Sequence, residues 1–424
     1  MGVEAARNAL AARAGVAPAA LLFSTTDPAY LDKTNATAIH AALSLAQSTM
    51  AVDLGGAVRS GIGALLAGVH SSAPTMVICS DTRCGLPGSG DESNGGDAAV
   101  AIAFGTDSVL AELIGHGHST AEFLDRWRIP GESASRIWEE RFGEGEYVPL
   151  AVAAMTDALK DAGITVEQID HLVVGGVHPR AQGVIAKAVG AKTGAIADDL
   201  SSAIGAPGVA QVPLVLTDVL DRAGAGDVIV TMSIADGVDV LVWRTTSALA
   251  DFRAGRTSRP VAEQIAAGNT GLAYALFLTW KGYLKREPPR RPDPDRPSGP
   301  AASRSENWKF GFVGSRCLKC GTRHLPPARV CVKCRAIDEM TPERLADVHA
   351  TIATFTIDRL AFSMSPPVVA VVVNLDEGGR FICEMTDVDP ASVAIGQKVE
   401  FTFRRLITAQ SVHNYFWKAR PVRA

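Results

Sequence analysis

The sequence predicts an α/β layered domain followed by a small all-β barrel. Helical and strand patterns alternate through residues 1–245, which is typical of layered folds with a mostly parallel sheet. After residue 341, strand-like segments recur with no helical pattern between them. Residues 286–297 are rich in proline, which is excluded from helix interiors and central strands, so they predict a stiff, extended linker.

In the first region, short apolar segments predict buried strands and alanine-rich amphipathic segments predict the helices between them. A further helical stretch is predicted near residues 261–284, before the linker. The clearest strands are residues 21–23, 75–79, 172–174 and 227–232, and the clearest helices are residues 3–14 and 150–162.

The first region also contains an internal repeat at a spacing of about 148 residues. Residues 9–26, a helix end followed by a strand, are echoed by residues 158–178. Residues 75–103 are echoed by residues 227–242. Each unit is too long for a solenoid, so the repeat predicts two related α/β halves. The alternative is a chance similarity among segments rich in Ala, Val and Gly.

The second region predicts a barrel of short strands. Residues 399–404 alternate between apolar and polar side chains, the pattern of a half-buried strand. Five short strands suit a small closed barrel, and the OB-fold is the commonest five-stranded choice. The predicted strands are residues 350–357, 368–374, 380–386, 397–404 and 412–418.

Two CxxC units near the start of the second region predict one metal site. Four thiolates can close a tetrahedral shell around Zn²⁺ and leave no position for water or substrate, so the ion would be structural. An iron–sulfur centre and a redox pair are the alternatives. His324, between the two units, is expected to be a loop residue and not a further ligand. The predicted ligands are Cys317, Cys320, Cys331 and Cys334.

Composition and charge exclude several classes of function. The chain has 424 residues, of which 47% are hydrophobic, so it can form more than one domain with a large core. A net charge of -4 leaves no basic footprint for nucleic acid. No segment approaches ~18 consecutive apolar residues, and no secretory pattern opens the sequence, so we expect a cytoplasmic protein without a membrane segment. Seven cysteines, four of them in CxxC units, indicate metal binding in a reducing compartment and not disulfides.

The CxxCG unit that ends at Gly321, the Pro326-Pro327-Ala328-Arg329 run and the closing residues 414–421 form a specific combination. Together they make residues 300–424 resemble the zinc-ribbon and OB-fold module that accompanies acyl-CoA enzymes of the thiolase type. The resemblance implies that the module lies near an acyl-CoA path or holds a partner enzyme. It also implies a coenzyme A thioester as the substrate.

Four segments of the first region, residues 80–89, 95–99, 123–128 and 138–142, are also distinctive. They are similar to the hydroxymethylglutaryl-CoA synthase and β-ketoacyl-ACP synthase III branch of the thiolase superfamily. The resemblance covers residues 1–245 and implies a duplicated thiolase-like layered fold, which is usually dimeric. The first helix matches one that normally follows a first strand in that branch, so the fold is expected to be N-terminally incomplete.

This branch uses a cysteine nucleophile, a histidine, an asparagine and, in the synthases, an acidic residue. Val58 falls on the cysteine, Ala206 on the asparagine and Thr26 on the acidic residue, whereas His178 falls on the histidine. Valine cannot form a thioester, which excludes covalent acyl transfer at that position. His178 follows a strand and is the predicted catalytic residue, as a base or as a donor to a thioester oxygen. The alternative for this histidine is a helix cap or a turn.

Other reactive side chains are weaker candidates. Ser60 is expected on a helix surface, and Cys79 and Cys383 in buried strands, where cysteine is inert packing. Cys84 follows an arginine that would favour a thiolate, but one adjacent cation is weak support. The His-Gly-His run at residues 116–118 lacks a third metal ligand and is expected to form a turn.

The sequence thus predicts four segments and two alternative functions. The segments are a condensing-enzyme domain at 1–245, a helical connector and linker at 246–306, a zinc ribbon at 307–340 and an OB-fold at 341–424. In the first function, the protein handles acyl-CoA as a hydroxymethylglutaryl-CoA synthase-like enzyme and makes or breaks carbon–carbon bonds through His178. In the second, it is a non-catalytic subunit that holds a partner thiolase or hydratase. A homodimer or a complex with a thiolase-type partner is expected.

Overall fold

A computed structural model of the chain describes residues 1–12, 17–287 and 295–422. The chain divides into two compact units, Met1–Thr37 with Ala46–Gly271, and Ala38–Leu45 with Leu272–Ala424. Most of the predicted proline-rich linker lies outside the described residues. Within the described ranges, every helix is too short or too polar to cross a membrane.

Helices and strands alternate through the first 271 residues, as the sequence predicts. The helices are α1 (Gly2–Ala11), α2 (Ala36–Ala42), α3 (Ser60–Val69), α4 (Gly90–Asn94), α5 (Glu140–Ala162), α6 (Pro179–Ala188), α7 (Ser201–Ile204), α8 (Gln211–Leu220), α9 (Ala248–Gly255) and α10 (Val261–Ala266). The strands are β1 (Ala20–Thr25), β2 (Met50–Gly55), β3 (Thr75–Thr82), β4 (Asp97–Phe104), β5 (Ala111–Ser119), β6 (Arg126–Trp127), β7 (Arg136–Ile137), β8 (His171–Gly176), β9 (Val228–Ile234) and β10 (Val238–Thr245).

Two four-stranded sheets carry the predicted duplication. The first has the order β2-β1-β3-β4 and the second has the order β5-β10-β9-β8. In the first sheet β1 and β3 are parallel and β4 is antiparallel to β3. In the second, β8 and β9 are parallel and β10 is antiparallel to β9. Three neighbouring strands of the first sheet, β1-β3-β4, therefore recur as β8-β9-β10 with the same order and sense, which confirms the duplicated layered fold.

One core cluster joins both sheets to α3 and α8. Leu22 and Val77 come from the first sheet, Val173 and Ile229 come from the second, and Leu65 of α3 packs among them. All of these side chains are buried. Burying helices against two sheets gives the layered arrangement that the alternating pattern predicts.

The long helix α5 packs on the second sheet through small residues. Ala151, Ala154 and Ala158 lie on one face and are fully buried. Gly117 of β5 faces them so closely that a Cβ atom at this position would overlap the backbone of α5. The predicted turn at residues 116–118 is therefore wrong, because these residues continue β5 beside β10 and the glycine admits the helix.

The second unit contains a ribbon and a barrel. Its helices are α11 (Tyr274–Lys281), α12 (Gly299–Arg304) and α13 (Glu306–Lys309). Its strands are β11 (Val313–Cys317), β12 (Arg323–His324), β13 (Met340–Arg344), β14 (Ala350–Asp358), β15 (Val368–Leu375), β16 (Arg380–Met385), β17 (Lys398–Ala409) and β18 (Val412–Pro421). The helical stretch predicted near residues 261–284 is interrupted between α10 and α11, where Gly268 and Gly271 disfavour a helix.

The five predicted barrel strands all form, and they close in the order β14-β15-β16-β18-β17. Aromatic side chains fill the interior. Phe312, Phe401 and Trp417 are each at most 1% exposed, and the Trp417 indole N–H donates to the carbonyl of Phe310 at 2.7 Å. The indole therefore buries a large apolar surface and still satisfies its polar atom.

Candidate metal centre and the altered condensing site

The four predicted zinc ligands converge on one point. Their sulfur atoms all lie within 4.8 Å of one another, with 3.6 Å between Cys317 and Cys334 and 3.5 Å between Cys320 and Cys331. A tetrahedral shell with Zn–S bonds of about 2.3 Å places its sulfurs roughly 3.8 Å apart. The donor set and its spacing therefore fit a four-coordinate zinc ion.

The two CxxC units have the same backbone structure. In the first, the amide of Cys317 donates to Thr322 and its carbonyl accepts from Gly321, both at 2.9 Å. In the second, the amide of Cys331 donates to Ala336 at 2.9 Å and its carbonyl accepts from Arg335 at 3.0 Å. Gly321 and Arg335 both adopt positive φ, at 70° and 62°, four residues after the first cysteine of their unit. These two turns aim the thiols of both units at one point.

Hydrogen bonds also favour the thiolate form that a metal requires. A hydrogen bond with the hydroxyl of Thr322, at 3.2 Å, lowers the pKa of Cys320 to about 6. Cys331 accepts from the amide of Cys334 at 3.4 Å, and this contact lowers the pKa of the Cys331 thiol. The thiolate is thus favoured at two of the four positions. At Cys334, the hydrogen bond from the backbone of Ala336 is outweighed by contact with Cys320 and by burial, which raise the pKa of the thiol to about 12.

His324 lies in β12 and not in a loop. Its backbone pairs with Ser315 of β11, and its side chain is 6% exposed. It lies outside the group of possible metal ligands, and among the described residues its Nε2 atom has no hydrogen-bond partner. The position fits core packing, in keeping with the expectation that it is not a fifth ligand.

A charged network beside the ribbon escaped the sequence analysis. The side chain of Arg323 is 4% exposed and binds both carboxylate oxygens of Glu343, at 2.8 and 3.0 Å. Arg316 binds the same carboxylate, and Arg323 also donates to the carbonyl of Asp376 between two barrel strands. Burial alone would raise the pKa of Glu343, but the hydrogen bonds from Arg316 and Arg323 outweigh it and lower the pKa to about 2. Nothing in the residue types alone marks these positions.

His178 is placed as a helix cap. It precedes α6, and its Nδ1 atom accepts a hydrogen bond from the amide of Ala181 at 3.0 Å. Its Nε2 atom lies 3.0 Å from the carbonyl oxygen of Glu140, so this nitrogen carries the proton and donates. The residue is 4% exposed, and a Cβ atom on Gly143 would lie 2.7 Å from the ring. The geometry corresponds to the cap alternative, and the catalytic role of His178 stays a prediction.

The three replaced positions provide no acid, base or nucleophile. Val58 is buried just before α3. Ala206 donates its amide to the carbonyl of Asn94 at 2.7 Å. The hydroxyl of Thr26 donates to Asp81 at 2.9 Å. Each of these residues is therefore part of local packing or backbone pairing.

Asp81 is a buried residue that the sequence analysis missed as a centre of hydrogen bonding. Its carboxylate accepts from the hydroxyl of Thr25 at 2.9 Å, from the amide and hydroxyl of Thr26 at 2.7 and 2.9 Å, and from the amide of Val209 at 3.0 Å. Asp81 is 2% exposed. It thus joins the carboxyl ends of β1 and β3 to the turn that follows Ala206. Its position at the end of a predicted strand was the available signal.

The weaker candidates are accounted for by packing. Cys79 and Cys383 are buried in β3 and β16, and burial raises the pKa of each thiol to about 12. Ser60 lies in the first turn of α3 and donates to the carbonyl of Gly55 at 3.0 Å. Cys84 is partly buried just after β3. None of the four is placed as an activated nucleophile.

Known proteins are similar to both parts of the chain, and the first group matches the zinc ribbon and the barrel. Residues 311–338 match the family described as ChsH2, rubredoxin-like zinc ribbon domain, and residues 343–404 match ChsH2, C-terminal OB-fold domain. A DUF35 domain-containing scaffold protein of Methanocaldococcus jannaschii is 30% identical over 119 residues, which are 27% of this chain and 84% of that protein.

The larger part of the chain is similar to synthases. The hydroxymethylglutaryl-CoA synthase of Aeropyrum pernix is 30% identical over 249 residues, which are 56% of this chain and 68% of that protein. Among solved structures, MvaS in complex with 3-hydroxy-3-methylglutaryl coenzyme A superposes with a TM-score of 0.54 at 18% identity, over 63% of this chain and 75% of that one. The structural likeness confirms the thiolase-like fold. The chain therefore belongs to the hydroxymethylglutaryl-CoA synthase family of the thiolase superfamily, fused to a zinc ribbon and OB-fold of the DUF35 family.

Proposed function

We propose that this protein is a non-catalytic subunit of an acyl-CoA enzyme assembly, in which it holds a thiolase-type partner. The observation that carries the proposal is the replacement of the nucleophile by Val58 together with the capped state of His178. A condensing reaction needs either a thiol to take the acyl group or a base with a free nitrogen. Neither is offered by the described residues at the matching positions.

The C-terminal module supports the same proposal. Its similarity to DUF35 proteins that carry the description scaffold suggests a role in assembly. We assign acyl-CoA as the ligand that the assembly handles, because the other half of the chain is similar to a coenzyme A thioester synthase. The four-segment division, the homodimer and the cytoplasmic location expected from the sequence belong to this proposal.

We also propose that Zn²⁺ is held by the four ribbon cysteines in a structural role. Four protein thiolates complete the shell of a tetrahedral ion, which then contributes folding free energy and no catalysis. The matching hydrogen bonds of the two CxxC units support this role, because they hold both pairs of sulfurs in place through the backbone itself.

One observation favours the alternative, in which the protein is an enzyme. His178 lies at a strand end beside Asp125, which is 1% exposed and whose pKa is raised by burial. A proton-transfer or retro-aldol reaction would require the histidine to release Ala181 or Glu140. The enzyme function therefore predicts activity that depends on His178, which an assay of the isolated chain detects.

Co-purification tests the scaffold proposal. Affinity-tagged full-length protein, expressed in its native host, is expected to retain a separate thiolase, recognised by thiolysis of acetoacetyl-CoA with free coenzyme A. A Cys317→Ser variant should co-purify with at least about tenfold less thiolysis activity, because the ribbon would no longer fold around its metal. A Cys84→Ser control, altered outside the ribbon, should retain it. Full-length protein that elutes without thiolysis activity, or a Cys317→Ser variant that keeps the partner, contradicts the proposal.

A further inference from the structure

Three arginines lie at the carboxyl ends of the parallel strands β1 and β3. Arg83 directly follows β3, and Arg126 and Arg128 flank Trp127 in the β6 hairpin. Ligands of open α/β sheets bind at the carboxyl ends of parallel strands, where loops from neighbouring strands meet. The same edge carries Thr26, the position that the acidic residue of the synthases occupies.

The carboxylates nearby are already engaged. Asp81 accepts four hydrogen bonds from Thr25, Thr26 and Val209. Asp91 of α4 is bound by both terminal nitrogens of Arg126, at 2.6 and 2.9 Å. Neither carboxylate accepts a hydrogen bond from Arg83, although both attract its charge.

Arg128 is partly engaged as well. One terminal nitrogen donates to the carbonyl of Thr26 at 2.5 Å, and the other lies 3.6 Å from Asp27, whose side chain is 52% exposed. The Nε atom of Arg126 is buried without a hydrogen-bond partner in the described part of the chain. Donor capacity thus remains on both arginines.

Arg83 stands out because its guanidinium makes no hydrogen bond and no ion pair with any residue in the described ranges. It is only partly exposed. Burial, with a smaller contribution from Arg126, lowers the pKa of Arg83. Its Cδ atom lies near Gly208, where an added Cβ would come within 2.8 Å of it. The side chain therefore extends beside the turn that follows Ala206, where the family keeps its asparagine.

We propose that Arg83, with Arg126 and Arg128 beside it, forms a binding site for an oxyanion, a phosphate or carboxylate group of a small molecule. A guanidinium binds planar and tetrahedral oxyanions with paired N–H donors, and the Arg83 guanidinium is partly removed from water with no acceptor on those donors in the described ranges. The attraction of Asp81 and Asp91 offsets only part of the effect of burial. The site would lie beside Thr26 and Ala206, two positions matched to catalytic residues of the family, and would recognise a charged group there. The inference is independent of the scaffold role, because a subunit that holds a partner need not bind an anion.

Binding of inorganic phosphate to the full-length protein tests the site. At constant ionic strength in chloride, phosphate should raise the melting temperature of the wild type, because a ligand that binds only the native state stabilises it. Arg83→Gln should weaken phosphate binding at least about tenfold. Arg136→Gln, which changes an arginine whose side chain is 65% exposed in the same unit, should bind phosphate as the wild type does.

The variant also separates a binding site from a structural arginine. Without phosphate, Arg83→Gln should melt close to the temperature of the wild type, because the attraction of Arg83 to Asp81 and Asp91 is outweighed by burial and by the neighbouring Arg126. Equal phosphate binding by wild type and Arg83→Gln, no binding by the wild type, or a loss of folding in Arg83→Gln each overturns the proposal. Parallel titrations with adenosine 3′,5′-bisphosphate and with succinate distinguish a phosphate source from a carboxylate source by which one binds more tightly.

Discussion

Cys317→Ser is expected to strip the ribbon of its metal and to unfold it. The purified wild type should hold about one zinc ion per chain after dialysis against a chelator, and the variant should hold almost none. Structural zinc contributes on the order of 10 kcal/mol to the folding of small ribbons, far more than the short strands β11 to β13 can replace. Elemental analysis of dialysed protein measures the metal, and hydrogen exchange measures the ribbon.

The control for this experiment is Cys84→Ser, which should keep its zinc and its protected ribbon amides. Stoichiometric zinc in dialysed Cys317→Ser would contradict the four-cysteine site. Iron in place of zinc in the wild type, with visible absorption, would favour the iron–sulfur alternative.

Asp81→Ala is expected to destabilise the first unit by about 3 kcal/mol or more, because each buried donor left without its acceptor costs roughly 1–3 kcal/mol. Alanine would leave the hydroxyls of Thr25 and Thr26 and the amide of Val209 without their acceptor. The loss would be local at first, so hydrogen exchange should rise at the carboxyl ends of β1 and β3 before the whole unit unfolds. Urea unfolding gives the change in free energy.

Asp27→Ala is the matched control, because Asp27 directly follows Thr26, a partner of Asp81, but has its side chain 52% exposed and only a 3.6 Å contact to Arg128. It should change the free energy of unfolding by less than about 1 kcal/mol. A change of that small size in Asp81→Ala would show that the network does not hold the two strands together.

Local sequence patterns predicted the helices and strands well where the residues of the element itself carry the pattern. All five barrel strands and the strands of the repeat follow from apolar segments and alternation, and the CxxC spacing predicted which four thiols converge. The failure at residues 116–118 has a physical cause. Two histidines around a glycine look like a turn, but Gly117 is required by the close approach of α5, a contact from about forty residues away.

At the candidate condensing site, too, local sequence features were predictable and contacts between distant residues were not. The sequence predicted replacements of catalytic residues at Val58, Ala206 and Thr26, since each would be a change of chemical type at a position matched by resemblance. It left two roles open for His178, because the choice depends on partners from α5 and α6 that come together only in the fold. Asp81 and the unpaired Arg83 were invisible for a related reason. A charged residue after a strand has no distinguishing pattern until its neighbours are known.

The most direct test of the account is the release of free thiol by the purified full-length protein given acetyl-CoA and acetoacetyl-CoA without any partner. A thiol-reactive dye reports each turnover of a condensing reaction. A non-catalytic subunit should show no release above the buffer rate, for the wild type and for His178→Ala alike. Sustained thiol release by the wild type that is abolished in His178→Ala would contradict it, and would identify the protein as a synthase that works without a cysteine.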